Sequence, residues 1–156
     1  MNRKIILFFV IAAAAGVLLI FRGKNSRFFI VDEFGLNRSR FPYVEWRAEK
    51  NTMEASVAEI IDYRTFRTAN GEIILLCALD KAINGAGAVL FMKKEVLNKA
   101  VVISVFGVRE DYSGVSYGVV FYDNASKCLN RELHSRSFAD VKIEGKVFNT
   151  EQWFGN

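Results

Sequence analysis

The sequence predicts an α+β domain carried behind an N-terminal transmembrane helix. Three observations lead there. Ile5–Phe21 is a run of 17 residues without a charge or a hydrogen-bonding side chain. The later half of the chain holds several short Val-, Ile-, Phe- and Tyr-rich segments separated by turn residues, the signature of strands. One segment near residue 50 carries apolar residues at helical spacing.

The apolar run sets the domain organisation. At about 1.5 Å per residue a helix of this length covers roughly 25 Å, slightly short of the ~30 Å hydrocarbon core. Arg3 and Lys4 precede it, and Arg22, Lys24 and Arg27 follow. Such flanks snorkel to the headgroups and make up the shortfall. A cleaved signal peptide would need its small-residue exit at Ala12–Ala15, which leaves half of the apolar run on the mature chain. A buried core helix would show a polar face, and this run has none. No cysteine follows the run, which excludes a bacterial lipoprotein. The reading is an uncleaved signal-anchor in 1–24 and one soluble α+β domain in 25–156, in a single-pass membrane protein. The basic flanks nearly balance across the span. The short basic head resembles the front of an export signal, which places the N-terminus in the cytoplasm and the domain on the extracytoplasmic, periplasmic side.

The charge pattern agrees with this division. The net charge is +4, and the excess lies in residues 1–50, leaving the body of the domain close to neutral. Nucleic-acid binding asks for a basic patch on the folded domain, so no nucleic-acid partner is expected. Anionic lipid facing Arg22, Lys24 and Arg27 is the alternative reading of the basic flank.

Taken in order, Arg27–Phe34 alternates as a strand, Gly35–Pro42 is turn-like, and Tyr43–Ala48 fits a second short strand. Asn51-Thr52-Met53-Glu54 fits a helix start, and Met53, Val57, Ile60 and Ile61 draw one apolar stripe. This predicts the single amphipathic helix, over about residues 51–62. Asn70-Gly71 is a hairpin turn joining Tyr63–Ala69 to Glu72–Leu79. A rival reading makes Glu72–Ile83 a helix with Asn84-Gly85 as its C-cap. Gly85–Ala88 reads as loop and Val89–Lys93 as a strand. Lys99–Val108 is apolar on both faces and reads as a central strand. Val115–Tyr122 alternates, Asn124–Ser137 holds a short helix, and Asp140–Phe148 closes the set, bent at Glu144-Gly145. Strands joined by short turns suggest an antiparallel meander.

The search for chemistry yields little. Cys77 and Cys128 form no CxxC pair and no Cys/His cluster, so neither a metal site nor a cofactor is predicted. Both thiols reduced and one disulfide in an oxidising compartment are the two alternatives. The single histidine, His134, stands six residues after Cys128, without a sign of an oxyanion hole. Asp32-Glu33 and Glu110-Asp111 are neighbours in sequence, not carboxylates facing across a cleft. No catalytic residues are named, and an enzyme is disfavoured. The remaining constellation is aromatic and arginine-rich, a composition enriched at interfaces. It marks Tyr43, Trp46, Arg47, Arg64, Phe66 and Arg67 as the candidate binding face. The functional expectation is a membrane-anchored, non-enzymatic protein-binding domain, of the envelope-assembly, accessory or immunity type. A small ligand-binding or hydrolytic domain with a cavity under a curved sheet is the first alternative, and binding to an anionic membrane surface the second.

Overall fold

The computed structural model describes residues 31–108, 114–142 and 147–154. The expected anchor Ile5–Phe21 and its flanks Arg22, Lys24 and Arg27 lie outside them, as do Glu110-Asp111 and Glu144-Gly145. Among the described residues no helix is long and apolar enough to cross a membrane.

The α+β class holds. Among the described residues, eight strands and three short α-helices follow one another as β1 (Asn51–Asp62), β2 (Thr65–Thr68), β3 (Ile73–Leu76), β4 (Leu79–Ala82), α1 (Gly85–Glu95), β5 (Ala100–Val108), β6 (Val115–Tyr122), β7 (Lys127–Cys128), α2 (Leu129–Ser135), β8 (Ala139–Val141) and α3 (Thr150–Phe154). The expected meander is corrected. The main sheet runs β3-β2-β1-β5-β6-β7, and β3 also pairs with β6. That extra pairing is parallel, Ile73–Leu76 against Val115–Gly118, and it closes five strands into a ring. A closed ring leaves no exposed edge in those strands. This order, with a helix between the third and fourth ring strands, has the architecture of the five-stranded OB barrel. The small β4–β8 pair stands beside it.

The predicted helix over 51–62 is the longest strand, and this is the second correction. Met53 and Ala55 pair across to β5, whereas Val57 and Ile60 pair across to β2. A register shift between Val57 and Glu59 inserts an extra residue. Before the bulge the inward positions are Met53, Ala55 and Val57; after it the inward position is Ile60, which packs on the core. One bulge turns a period-2 pattern into spacings of two and three residues, and these imitate a helical stripe.

The opposite error occurs at Gly85–Lys93, read as loop and strand and found as α1. Asn84 is not the C-cap of a preceding helix; its side chain accepts from Gly87 N and starts this one. The two glycines weaken the helical signal, yet Gly87 is needed. A Cβ there would lie 2.6 Å from the Asn84 side-chain nitrogen and 2.9 Å from Phe138. Ala88, Met92 and Val96 are then buried at four-residue spacing.

The Asn70-Gly71 hairpin is present, with Thr65–Arg67 antiparallel to Ile73–Leu75. β5 is central, paired to β1 and β6, and Val101–Phe106 are buried on both faces. The predicted strand Tyr43–Ala48 is not formed, and of Arg27–Phe34 only residues 31–34 are described, without forming a strand. Val31 makes one bridge to Asn37 and Val44 one to Phe148. Asp32 instead closes a turn, accepting from Phe34 N and Leu36 N, and Trp46–Ala48 is a turn of 3-10 helix. Of the predicted Asp140–Phe148 strand, Asp140 and Val141 belong to β8, and residues 143–146 lie outside the described residues.

Two apolar layers result. One fills the barrel and the space under α1 and α2, with Phe66, Ile74, Met92, Ile103, Val120 and Leu133. The other covers the outer face of β5 and β6, where Phe41, Tyr43, Phe148 and Trp153 close over Val102, Val119 and Phe121. Asn130 ties helix to barrel. Fully buried, it accepts from Val120 N and donates to Cys77 O and Gly118 O.

Candidate functional site

The barrel wall supplies the site. Leu75 of β3 pairs with Tyr117 of β6, and Tyr117 pairs in turn with Gly107 of β5. These three positions form one cross-strand row. Residues paired this way share a sheet face, and here the row floors a cavity of about 470 Å³. Gly107 opens it. A Cβ at that position would come 3.9 Å from the Tyr117 ring, so even a short side chain would take space the cavity now has.

Arg64 stands on the rim, and its position is built by local sequence. Asp62 Oδ1 accepts the Arg64 backbone N–H, tightening the turn between β1 and β2. The Arg64 guanidinium then donates through Nη1 to Leu79 O at 2.7 Å and to Asp80 O at 3.3 Å. The Tyr63 hydroxyl donates to the same Asp80 carbonyl, and its ring lies under the guanidinium at 5.4 Å. Among the described residues Arg64 is held by carbonyls, not by a carboxylate. Its charge is therefore positioned without being neutralised. Asp80 and Lys142 add polar groups to the lining, and Phe106 and Val147 add apolar walls. Ala78, also in the lining, has φ of 61°, a left-handed backbone that costs an alanine about 1 kcal/mol.

Cys77 lines this cavity as a buried thiol. Burial, reinforced by nearby Cys128, pushes its thiol up to about 12. Burial likewise pushes Cys128 up to about 11. A thiol reacts as its thiolate, and both are held protonated at neutral pH. Both cysteines are free and buried. His134 faces Trp153 and Phe154 with its ring, while Cys128 is hydrogen-bonded to Tyr43. Among the described residues no group of three His, Cys, Asp or Glu side chains is placed to hold a metal. The arrangement offers an anchored cation beside an aromatic and aliphatic floor. It suits an oxyanion attached to a flat or apolar body.

The six residues of the predicted face are not brought together. Phe66 is fully buried inside the barrel, and Tyr43 is buried in the outer layer against Phe41 and Trp153. Burial, then Cys128, raise the Tyr43 phenol above its ordinary value, and Arg131 lies 4.5 Å over its ring. Trp46 is half-buried, stacked on Phe121 and covered by Arg38. Arg47 and Arg67 are exposed, and Arg67 reaches Glu59 at 3.5 Å. Arg64 alone of the set lines the cavity. Asp32 is a turn cap and an ion-pair partner of Arg38.

Sequence reasoning missed the floor residues Leu75, Phe106, Gly107 and Tyr117. They come from three strands, and the parallel β3–β6 pairing that unites them has no local signal. No protein-family model and no curated protein sequence matches this chain.

Proposed function

We propose that the chain is a bilayer-tethered binding module, and that the barrel cavity takes a small anionic ligand with a ring or apolar body. The observation that carries this reading is the Leu75–Tyr117–Gly107 floor with Arg64 fixed at its rim. A guanidinium pinned by two carbonyl bonds is pre-organised, so little side-chain entropy is lost when an anion arrives. The fold supplies a weaker argument, by analogy only. OB barrels bind their ligands on the face of strands two and three and on the loop joining strands one and two. Leu75 and Arg64 occupy those places here. The tether rests on the composition of Ile5–Phe21 and its basic flanks. This reading takes precedence over the aromatic protein interface because Phe66 and Tyr43 are core residues.

The test is a thermal-shift and titration series on the full chain in detergent. The probes are inorganic phosphate, aromatic carboxylates, sugar phosphates and nucleoside monophosphates. At least one ring-bearing anion is expected to raise the melting temperature, and Arg64→Gln to weaken it about ten- to a hundred-fold, as loss of a charged hydrogen bond implies. Gly107→Leu fills the cavity and is expected to abolish binding. No shift with any probe, or a shift that survives Gly107→Leu, overturns the reading.

A further inference from the structure

The far side of the β1–β2 turn carries a feature that the cavity does not use. Three large apolar side chains stand in solvent there, Ile61 at 43 %, Ile83 at 62 % and Leu90 at 69 % exposure. Ile61 and Leu90 line one shallow hollow with Asp62, Tyr63, Gly85, Ala86 and Val89. The same sequence features that build the core expose them. The β1 bulge turns Ile60 inward and leaves Ile61 outside. The Ala88–Met92–Val96 stripe fixes the orientation of α1 and leaves Leu90 outside. The absence of bulk at Gly85 and Ala86 makes the hollow. Lys93 and Lys94 follow Leu90 by three and four residues on the helix surface, Lys81 precedes Ile83 by two, and all three are exposed. Two of the nearby acids are ion-paired, and Asp62 keeps its charge. Glu59 meets Arg67 at 3.5 Å, Glu95 meets Lys94 at 3.8 Å, and Asp62 accepts the Arg64 backbone N–H.

We infer that this patch rests in the headgroup region of an anionic lipid bilayer, with Ile61, Ile83 and Leu90 reaching the acyl boundary and Lys81 and Lys93 meeting lipid phosphates. The inference depends on the tether of the proposed function. Nine residues (22–30) separate the apolar run from the first described residue, and the ten Cα steps from Phe21 to Val31 span at most about 35 Å. A domain of this size is itself about 35 Å across. If residues 5–21 span a bilayer, a tether of that length keeps the domain within reach of the membrane surface. The face that gains by meeting that surface carries exposed Ile and Leu side chains flanked by exposed lysines, the composition of an interfacial surface.

The experiment places an environment-sensitive fluorophore on Leu90→Cys in the full chain, with Glu151→Cys as the control position. Cys77 and Cys128 are buried, which directs the label to the new thiol. Each protein is reconstituted into vesicles of phosphatidylcholine alone or mixed with phosphatidylglycerol, with and without a chain-bearing quencher lipid. The expected result is a blue-shifted, lipid-quenched label at position 90 in the anionic vesicles, an unshifted label at 151, and loss of the shift in Ile61→Ser/Ile83→Ser. Lys81→Gln/Lys93→Gln is expected to remove the preference for anionic lipid, with the melting temperature of each variant confirming its fold. A label at 90 that stays in water, in a chain resistant to alkaline carbonate extraction, overturns the patch and leaves the anchor standing. A chain that carbonate extracts overturns both. A shift that grows with protein density in the vesicle, not with lipid charge, overturns the lipid assignment in favour of a second copy.

Discussion

The two faces of the β5–β6 pair are both largely buried, yet they are covered in different ways. Inside the barrel, Val101, Ile103, Val105 and Val120 meet side chains from other strands and from α1, and most of these are aliphatic. On the outer face, Val102, Val119 and Phe121 are covered by residues 34–48 and 147–154, which hold only single bridges and short helical turns. That cover is aromatic. Phe41 meets Phe121 at 4.6 Å, Phe148 meets Trp153 at 4.2 Å, and Tyr43 meets Trp153 edge-on at 5.4 Å. The difference has a physical reason. A strand in a ladder gains hydrogen bonds along its whole length, so small side chains suffice to complete its burial. An irregular segment gains few, and needs more buried area per ordered residue to offset its entropy. The backbone ties that remain are sparse, such as Glu45 N to Val147 O at 2.9 Å and Asn149 N to Tyr43 O at 2.8 Å.

The largest expected effect separates the layers directly. Phe66 is fully buried in the barrel, and strands on every side prevent collapse around a void. Phe66→Ala is expected to cost about 3–5 kcal/mol and to lower the single cooperative melting transition. Phe41→Ala removes the same ring from a cover that can shift inward. Its cost is expected at the lower end of that range or below, with faster amide exchange confined to residues 34–48. Equal costs and uniform exchange would show that the outer cover is as rigid as the barrel, and the contrast would fail.

The two layers also differ in how far the sequence reveals them. β5, β6 and the Asn70-Gly71 hairpin are legible because their signals are local: apolar alternation, a doubly apolar run, and a turn pair that tolerates positive φ. β1 is not, because its bulge at Val57–Glu59 replaces the period of two with a helix-like spacing. α1 is not, because Gly85 and Gly87 answer to Asn84 and Phe138, and that close approach is tertiary. The cavity is the least legible feature. Of its lining only Arg64 is singled out by composition. The pairing of Leu75 with Tyr117 joins residues 42 apart in parallel, and nothing local announces it. The ring content of residues 41–46 was visible, but a cover and an interface have the same composition, and only burial tells them apart.

A smaller effect contrasts two glycines on adjacent barrel strands. Gly118 points into the barrel, where a Cβ would lie 3.0 Å from Ile74 and 3.1 Å from Ile103. Gly107 faces the cavity, with Tyr117 at 3.9 Å. Gly118→Ala is expected to cost about 1–3 kcal/mol through overpacking. Gly107→Ala is expected to leave the melting temperature almost unchanged while weakening ligand binding. If Gly118→Ala is as well tolerated as Gly107→Ala, the interior is less tightly packed than the outer wall, and the comparison reverses.

The smallest effect concerns pH and belongs to the outer layer, which holds both thiols. Burial raises Cys77 to about 12 and Cys128 to about 11 from an ordinary value of 9.0. The folded chain thus keeps protons that the unfolded chain releases. The stability these thiols contribute is fully present below pH 9, and it falls as pH rises from there through the folded values. The loss approaches about 1.4 kcal/mol per pH unit for each thiol within that window. Burial also raises the Tyr43 and Tyr122 phenols, but a phenol, with an ordinary value of 10.0, begins to ionise in the unfolded chain later than a thiol at 9.0. The first alkaline loss is therefore expected from the cysteines. Melting temperatures of the full chain in detergent between pH 8 and about pH 10 should fall with a slope that Cys77→Ala and Cys128→Ala each reduce. The double variant should be nearly flat until the tyrosines begin to titrate. A slope unchanged in the double variant would move the alkaline sensitivity from the outer cover to Tyr122 inside the barrel.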